Sequence, residues 1–322
     1  MIFSSKAQAK RLRAVPGFLA AWVGALTLGL LAACGGGTSQ VDPFVPKRLL
    51  VFGDDTSTIT PAGRKYNVNG LDANGAFDCT LEPIWVQSVA ASYGFAFAEC
   101  NPTALEPHAF MRAGPGAKVA DVTAQVEAQV AAGGFRDKDL ATVLAGQNDL
   151  LELYAQYPGR SVASLLDDAR GRGKLLALAV NRLVDLGVKV VVSDLPDLGL
   201  TPFAIAQRAL DPTGADRAKI LADLSTAFNE QLGVSVVLDG RFVGLVQAQL
   251  RFQSIGRSPG SFGLANITDA VCTTALPACT SATLITDAVT SQYLWSDDTH
   301  LSTGGQSQLA SLAIDRARRN PF

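Results

Sequence analysis

A single α/β domain, with a parallel sheet covered by helices on both faces, is predicted from three observations. Short unbroken runs of Val, Leu and Ala alternate with longer helical stretches. At 322 residues and 48% hydrophobic, the chain is long and apolar enough to bury a large core. No internal repeat and no second linker divides it beyond residue 46. Strands sandwiched between helices are buried on both faces, so they read as continuous apolar runs rather than alternating ones.

The elements follow in order. Arg48-Leu49-Leu50-Val51-Phe52, stopped by Gly53, predicts a first buried strand. Pro83 to Tyr93 predicts a helix, with Pro in its first turn and Gly94 beyond its end. Val119 to Ala132 predicts a second helix, closed by Gly133-Gly134. Leu140 to Ala145 is a second buried strand, and Ser161 to Leu186 a long helix. Val188 to Val192 is a third strand, between Gly187 and Pro196. Asp216 to Leu232 and Thr303 to Arg318 are further helices. Arg316, Arg318 and Arg319 suit the negative end of the last. In sheets of this kind the ligand site lies beyond the carboxyl ends of the strands.

Composition excludes several classes. Charged residues make up 17% and mean hydropathy is +0.21, which is not a disordered polar chain. The 30 Gly and 15 Pro show no collagen period. The formal charge of −2 gives no footprint for nucleic acid.

The N-terminus reads as an address. Lys6, Lys10, Arg11 and Arg13 precede an apolar stretch from Ala14 to Ala33, which ends in Leu31-Ala32-Ala33-Cys34. Those four letters resemble a bacterial lipobox, in which the Cys is lipidated and becomes the first mature residue. The other readings are an ordinary signal peptide and a transmembrane anchor, since about 20 apolar residues span a bilayer. The lipoprotein is favoured, because the apolar run stops there and a Gly-rich stretch from Gly35 to Gln40 follows. The expected organisation is a signal at residues 1–33, a flexible tether at 34–46 and one domain at 47–322. Residues 1–33 carry four basic residues and no acid, so the mature chain holds 23 Lys and Arg against 29 Asp and Glu, a net −6. Export and lipid anchoring in the cell envelope, at the outer membrane because Gly35 is no retention signal, are the expectations.

Four cysteines remain: Cys79, Cys100, Cys272 and Cys279. An even count outside the cytoplasm predicts two disulfides, with three connectivities open. The local pairings Cys79–Cys100 and Cys272–Cys279 are favoured. A zinc site has neither the spacing nor an accompanying His.

Three polar segments carry the chemistry. Gly53-Asp54-Asp55-Thr56 follows the first strand, Gly146-Gln147-Asn148-Asp149 follows the second, and Asp297-Asp298-Thr299-His300 precedes the last helix. In this order and at these offsets they resemble the SGNH, or GDSL, hydrolase family. Arg112-Ala113-Gly114-Pro115-Gly116-Ala117, Asp194 to Pro202 and Phe262 to Ala270 extend the resemblance. It implies a three-layer α/β/α, flavodoxin-like fold and ester hydrolysis. It also implies roles: Gly116 N–H and the Asn148 side chain as oxyanion donors, His300 as general base and Asp297 as the acid that orients it. Fixed donors aimed at a developing oxyanion are usually the largest catalytic contribution. A carboxylate that sets the imidazole tautomer lets the His take a proton.

The departure is at the nucleophile. The family pattern is Gly-Asp-Ser, and Asp55 stands where the Ser would be. Attack on an ester carbonyl by a carboxylate gives an anhydride, which lies uphill. An ionised Asp55 would also favour imidazolium over the free base. Several readings stay open. Thr56 or Ser57 serves as nucleophile; Asp55 attacks an sp³ carbon or activates water; or the protein binds an acyl or glycan ligand without turnover.

The rival motif Gly256-Arg257-Ser258-Pro259-Gly260 matches the nucleophile elbow of another hydrolase class, but Pro259 breaks the helix the elbow requires. His108, after Pro107, reads as a loop residue, and Trp85 and Trp295 as core or rim aromatics. Asp54 reads as a turn acceptor, and Asn148 and Asp149 as an alternative helix cap. No phosphate loop and no cluster with metal spacing occurs, so no cofactor or metal is expected. The expected partners are a small-molecule ester, acyl or glycan ligand and, through the lipid, a membrane. A monomer is expected.

Overall fold

The computed structural model describes residues 43–210 and 215–322. The expected signal, Cys34 and most of the expected tether lie outside them. The domain starts before residue 47: Phe44, half-buried, packs edge-on against Phe322 at 5.6 Å, and Pro46 is buried. The end of the tether is therefore part of the folded body. Among the described residues no helix is long and apolar enough to cross a membrane.

Five parallel strands form the central sheet: β1 (Arg48–Gly53), β2 (Ala109–Met111), β3 (Asp139–Leu144), β4 (Lys189–Ser193) and β5 (Val243–Val246). Their order is β2-β1-β3-β4-β5, the doubly wound order of flavodoxin-like proteins. The three predicted strands form its centre, as their unbroken apolar sequences require. β1 pairs with β3 in register from Arg48–Asp139 to Gly53–Leu144. β2 and β5 lie at the edges.

Helices cover both faces. On one, α2 (Val119–Ala131), α4 (Val162–Asp185) and α6 (Arg217–Ser235) pack side by side. On the other, α1 (Trp85–Ser92) packs against α8 (Thr303–Arg319). Three helices add to those predicted: α3 (Gln147–Tyr154), α5 (Pro202–Arg208) and α7 (Ala248–Arg257). The core between the layers includes Leu49, Leu50, Phe52, Leu140, Val190, Val191, Phe228 and Trp85, all without solvent exposure. Burying each large apolar side chain stabilises the fold by about 1.5–3 kcal/mol.

A small second sheet pairs β6 (Asn266–Ala270) with β7 (Tyr293–Trp295). It leads directly into the segment that carries Asp297 and His300. Two disulfides close loops, Cys79–Cys100 and Cys272–Cys279, with Cα separations of 5.6 and 5.9 Å. These are the two local pairings.

Candidate active site

The topological switch point lies between β1 and β3, where the strand order reverses. β1 ends in Gly53, whose φ is +144°. A Cβ there would stand 2.1 Å from the Leu144 carbonyl oxygen of the neighbouring strand, so only Gly lets the two strand ends leave the sheet side by side. Gly146, with φ +129°, plays the matching part after β3 and opens α3. Asn148 is thereby set in the first turn of α3, facing the end of β1.

Asp55 lies in a single 3₁₀ turn, Asp55–Ser57, and is 6% exposed. Its carboxylate accepts from both donors that sequence analysis assigned to an oxyanion. The Gly116 N–H donates to Oδ1 at 2.9 Å, and Asn148 Nδ2 donates to Oδ2 at 2.8 Å. Asn148 Nδ2 also donates to the Ala117 carbonyl at 3.1 Å, which fixes the amide's orientation. Asp149 does not cap its own helix. It accepts from the Val119 N–H at the start of α2, at 2.9 Å, and pairs with Arg172.

Asp54 lies behind Asp55, fully buried. Its Oδ1 accepts from the Thr56 N–H at 3.1 Å, as a turn acceptor does, while Oδ2 has no partner. Burial, and then the charge of Asp55, push its pKa up to about 7. Asp54 is thus more than a turn residue: it is an acid poised in the range of neutral solution.

Asp297 and His300 form a second unit. Nδ1 of His300 lies 2.9 and 3.0 Å from the two Asp297 oxygens, and the His300 N–H donates to Asp297 Oδ1 at 2.7 Å. Burial acts to lower the imidazole pKa, but the Asp297 hydrogen bond and charge outweigh it, helped by Asp55 and Asp54, and hold it above its ordinary value. Burial acts to raise the Asp297 pKa, and the bonds to His300 win and lower it. The other ring nitrogen, Nε2, is buried and has no partner.

A third contributor was not visible in the sequence. The Tyr66 ring lies 5.7 Å from the His300 ring, tilted by 38°. Its flanking residues are anchored. Lys65, fully buried, donates from Nζ to the carbonyls of Cys79, Leu81 and Glu82 at 3.0, 2.5 and 2.9 Å, using all three ammonium protons. Asn67 accepts from Ser296 Oγ at 2.9 Å and donates to Thr303 Oγ1 at 3.2 Å, on either side of His300 in the chain. The only sequence signal for this was the length of the loop after the 3₁₀ turn.

The remaining candidates are placed elsewhere. Ser57 has no exposure, and its hydroxyl accepts from Trp85 Nε1 at 3.1 Å, so it does not face the site. Trp85 and Trp295 are core residues. Ser258 caps the C-terminus of α7, with no strand before it. His108 is half-buried in the loop before β2, against Phe95. Among the described residues no group of three or more His, Cys, Asp or Glu could hold a metal ion.

Two N–H donors thus meet at the switch point of a doubly wound α/β fold whose last helix is preceded by an Asp–His pair. The family profile of the GDSL-like lipase/acylhydrolases matches residues 49–313, and the chain belongs to that family. No curated protein matches it significantly. Among solved structures it is similar to a member of the lipolytic G-D-S-L family from Veillonella parvula, at 13% identity and a TM-score of 0.45, covering 83% of this chain and 96% of that one. It is similar to a lipase from a goat rumen metagenome at 13% identity and a TM-score of 0.49, covering 84% and 96%. It is also similar to an acetylxylan esterase from Geobacillus stearothermophilus at 17% identity and a TM-score of 0.43, covering 85% and 95%.

Proposed function

We propose that this chain is an exported, lipid-anchored member of the ester-hydrolase family in which Asp55 replaces the nucleophilic serine, and that its site binds a small acyl or glycan ligand without serine-type turnover. One observation carries the reading: both oxyanion donors are already engaged by the Asp55 carboxylate. An ester carbonyl entering this site finds neither of these two donors free for its developing charge. A carboxylate that accepts on both oxygens is also a weakened nucleophile.

The test uses p-nitrophenyl acetate and butyrate with the wild type, Asp55→Ser and Asp55→Ala. The wild type and Asp55→Ala hydrolyse neither. Asp55→Ser vacates the donors and restores a hydroxyl at the family's nucleophile position. Each oxyanion donor is worth about 10²–10³ in kcat, so the gain in kcat/KM is at least about 100-fold. Wild-type hydrolysis that survives Asp55→Ala ends this reading.

A second reading has its own observation. His300 keeps Asp297 and an unpartnered Nε2, the arrangement an acid–base reaction uses. Here Asp55 activates water or attacks an sp³ carbon, and Asp55→Ala abolishes a measurable wild-type activity. Export and anchoring rest on Leu31-Ala32-Ala33-Cys34. Mass spectrometry of membrane-extracted protein should find a lipid on Cys34 at a new N-terminus, and an unmodified Cys34 refutes it.

A further inference from the structure

We propose that the ligand of this site is an unesterified polyol ring, a carbohydrate read through its free hydroxyl groups, and that the site rejects the acylated form. The inference rests on Asp55 as the resident occupant of the oxyanion donors.

The argument is one of hydrogen-bond capacity. A carboxylate offers about four lone-pair positions, and Gly116 and Asn148 take one on each oxygen of Asp55. What the site presents to a ligand is therefore acceptor capacity, where its relatives present donors. Next to it stands His300: Gln306, early in the helix that follows, donates to the Thr56 carbonyl at 3.4 Å and holds that segment against the Asp55 turn, and Nε2 of His300 is buried and unpartnered. A buried polar atom of this kind calls for a partner.

The group that suits both sides is a hydroxyl. It donates to Asp55 and accepts from a protonated Nε2, or donates to a neutral Nε2 and turns a second hydroxyl toward Asp55. Either charge state of His300 is satisfied. An ester oxygen only accepts: it takes the proton of a charged Nε2 but meets Asp55 lone pair to lone pair, so it satisfies one group where a hydroxyl satisfies both. An alkylammonium only donates, and it meets a like charge whenever His300 is protonated.

Tyr66 supplies the third element. Its half-buried ring stands beside the imidazole on a loop held by Lys65, Asn67 and the Cys79–Cys100 disulfide. A fixed aromatic face packs against the C–H face of a saturated ring, so the hydroxyls and the ring that bears them are both met. The site is built for the product side of deacylation, which the serine reaction would only release.

The experiment is a titration of the two histidine ring signals, His300 and His108, by ¹³C-resolved NMR of the full chain. The probes are methyl xyloside, methyl glucoside and cellobiose, with fully acetylated methyl xyloside and choline as controls. At least one free glycoside should shift the His300 signal saturably while His108 stays still. Full acetylation should weaken that binding at least about tenfold, a lost charge-assisted hydrogen bond. Tyr66→Phe should retain the response and Tyr66→Ala should lose it. In Asp55→Ser the preference should invert in favour of the acetylated sugar. The proposal is overturned if no free glycoside moves His300, if the acetylated sugar binds as well as the free one, or if choline alone binds. Acetate release by the wild type would instead overturn the reading beneath it. A protein that releases no acetate and ignores the sugars overturns this inference only.

Discussion

Replacing Asp54 by Asn should stabilise the protein at pH 8 and leave it unchanged at pH 4. Asp54 is fully buried, its Oδ2 has no partner, and its pKa is about 7 against an ordinary 3.8. The folded state thus holds a proton between pH 4 and pH 7 that the unfolded chain has released. Stability contributed by the protonated acid is complete below about pH 4 and is lost as pH rises through 7. The displacement corresponds to about 4 kcal/mol at pH 8. Asn keeps the Oδ1 acceptor for the Thr56 N–H and carries no charge to bury. The assay is urea unfolding of both proteins at pH 4, 6 and 8 with disulfides intact. The gap should open from near zero to about 3–4 kcal/mol, or about 8 °C in Tm for a domain of this size. The imidazole pKa of His300 should fall in the same variant, since the Asp54 charge supports it. A gap that is the same at all three pH values, or that favours the wild type at pH 8, refutes the reasoning.

Three further outcomes are expected. The His300 ring should titrate above 6.5 by NMR, and Asp297→Asn should bring it down; an unshifted ring in the wild type would contradict the pairing. Lys65→Met strands three carbonyls, at about 1–3 kcal/mol each, partly offset by removing a buried ammonium. A net loss of about 2 kcal/mol in urea unfolding follows, and a neutral variant would count against the clamp. Ser57→Ala takes the acceptor from the Trp85 indole and should cost about 1 kcal/mol while leaving the esterase gain of Asp55→Ser intact; loss of that gain would make Ser57 the working hydroxyl.

The sequence was legible where one physical pressure dominated. β1, β3 and β4 are buried on both faces, so their apolar runs announced them, and the long helices carried caps or glycine stops. β2 is only Ala109–Met111 at a sheet edge, too short to show a period. β5 contains Gly244 and a half-exposed Leu245, which breaks its apolar run. α3 escaped because its opening Gln147-Asn148-Asp149 is polar and offered at most a cap at Asn148 or Asp149, whereas the helix already begins at Gln147 behind Gly146. The positions that meet at the site could be read from order and spacing. That the Asp55 carboxylate turns into the two donors could not, because one side-chain rotamer decides it. Tyr66 and Lys65 were hidden in a loop whose shape comes from long-range hydrogen bonds to residues beyond 290.

The two halves of the site sit near opposite ends of the described domain, Asp55 just after the first strand and His300 just before the last helix. A chain emerging N-terminus first therefore makes the β1–β3 pairing long before an imidazole can arrive beside it. Contacts so distant in sequence are slow to form. A small molecule that docks at this cleft would consequently report complete maturation of the domain, and chains cut short before residue 297 would remain blind to it.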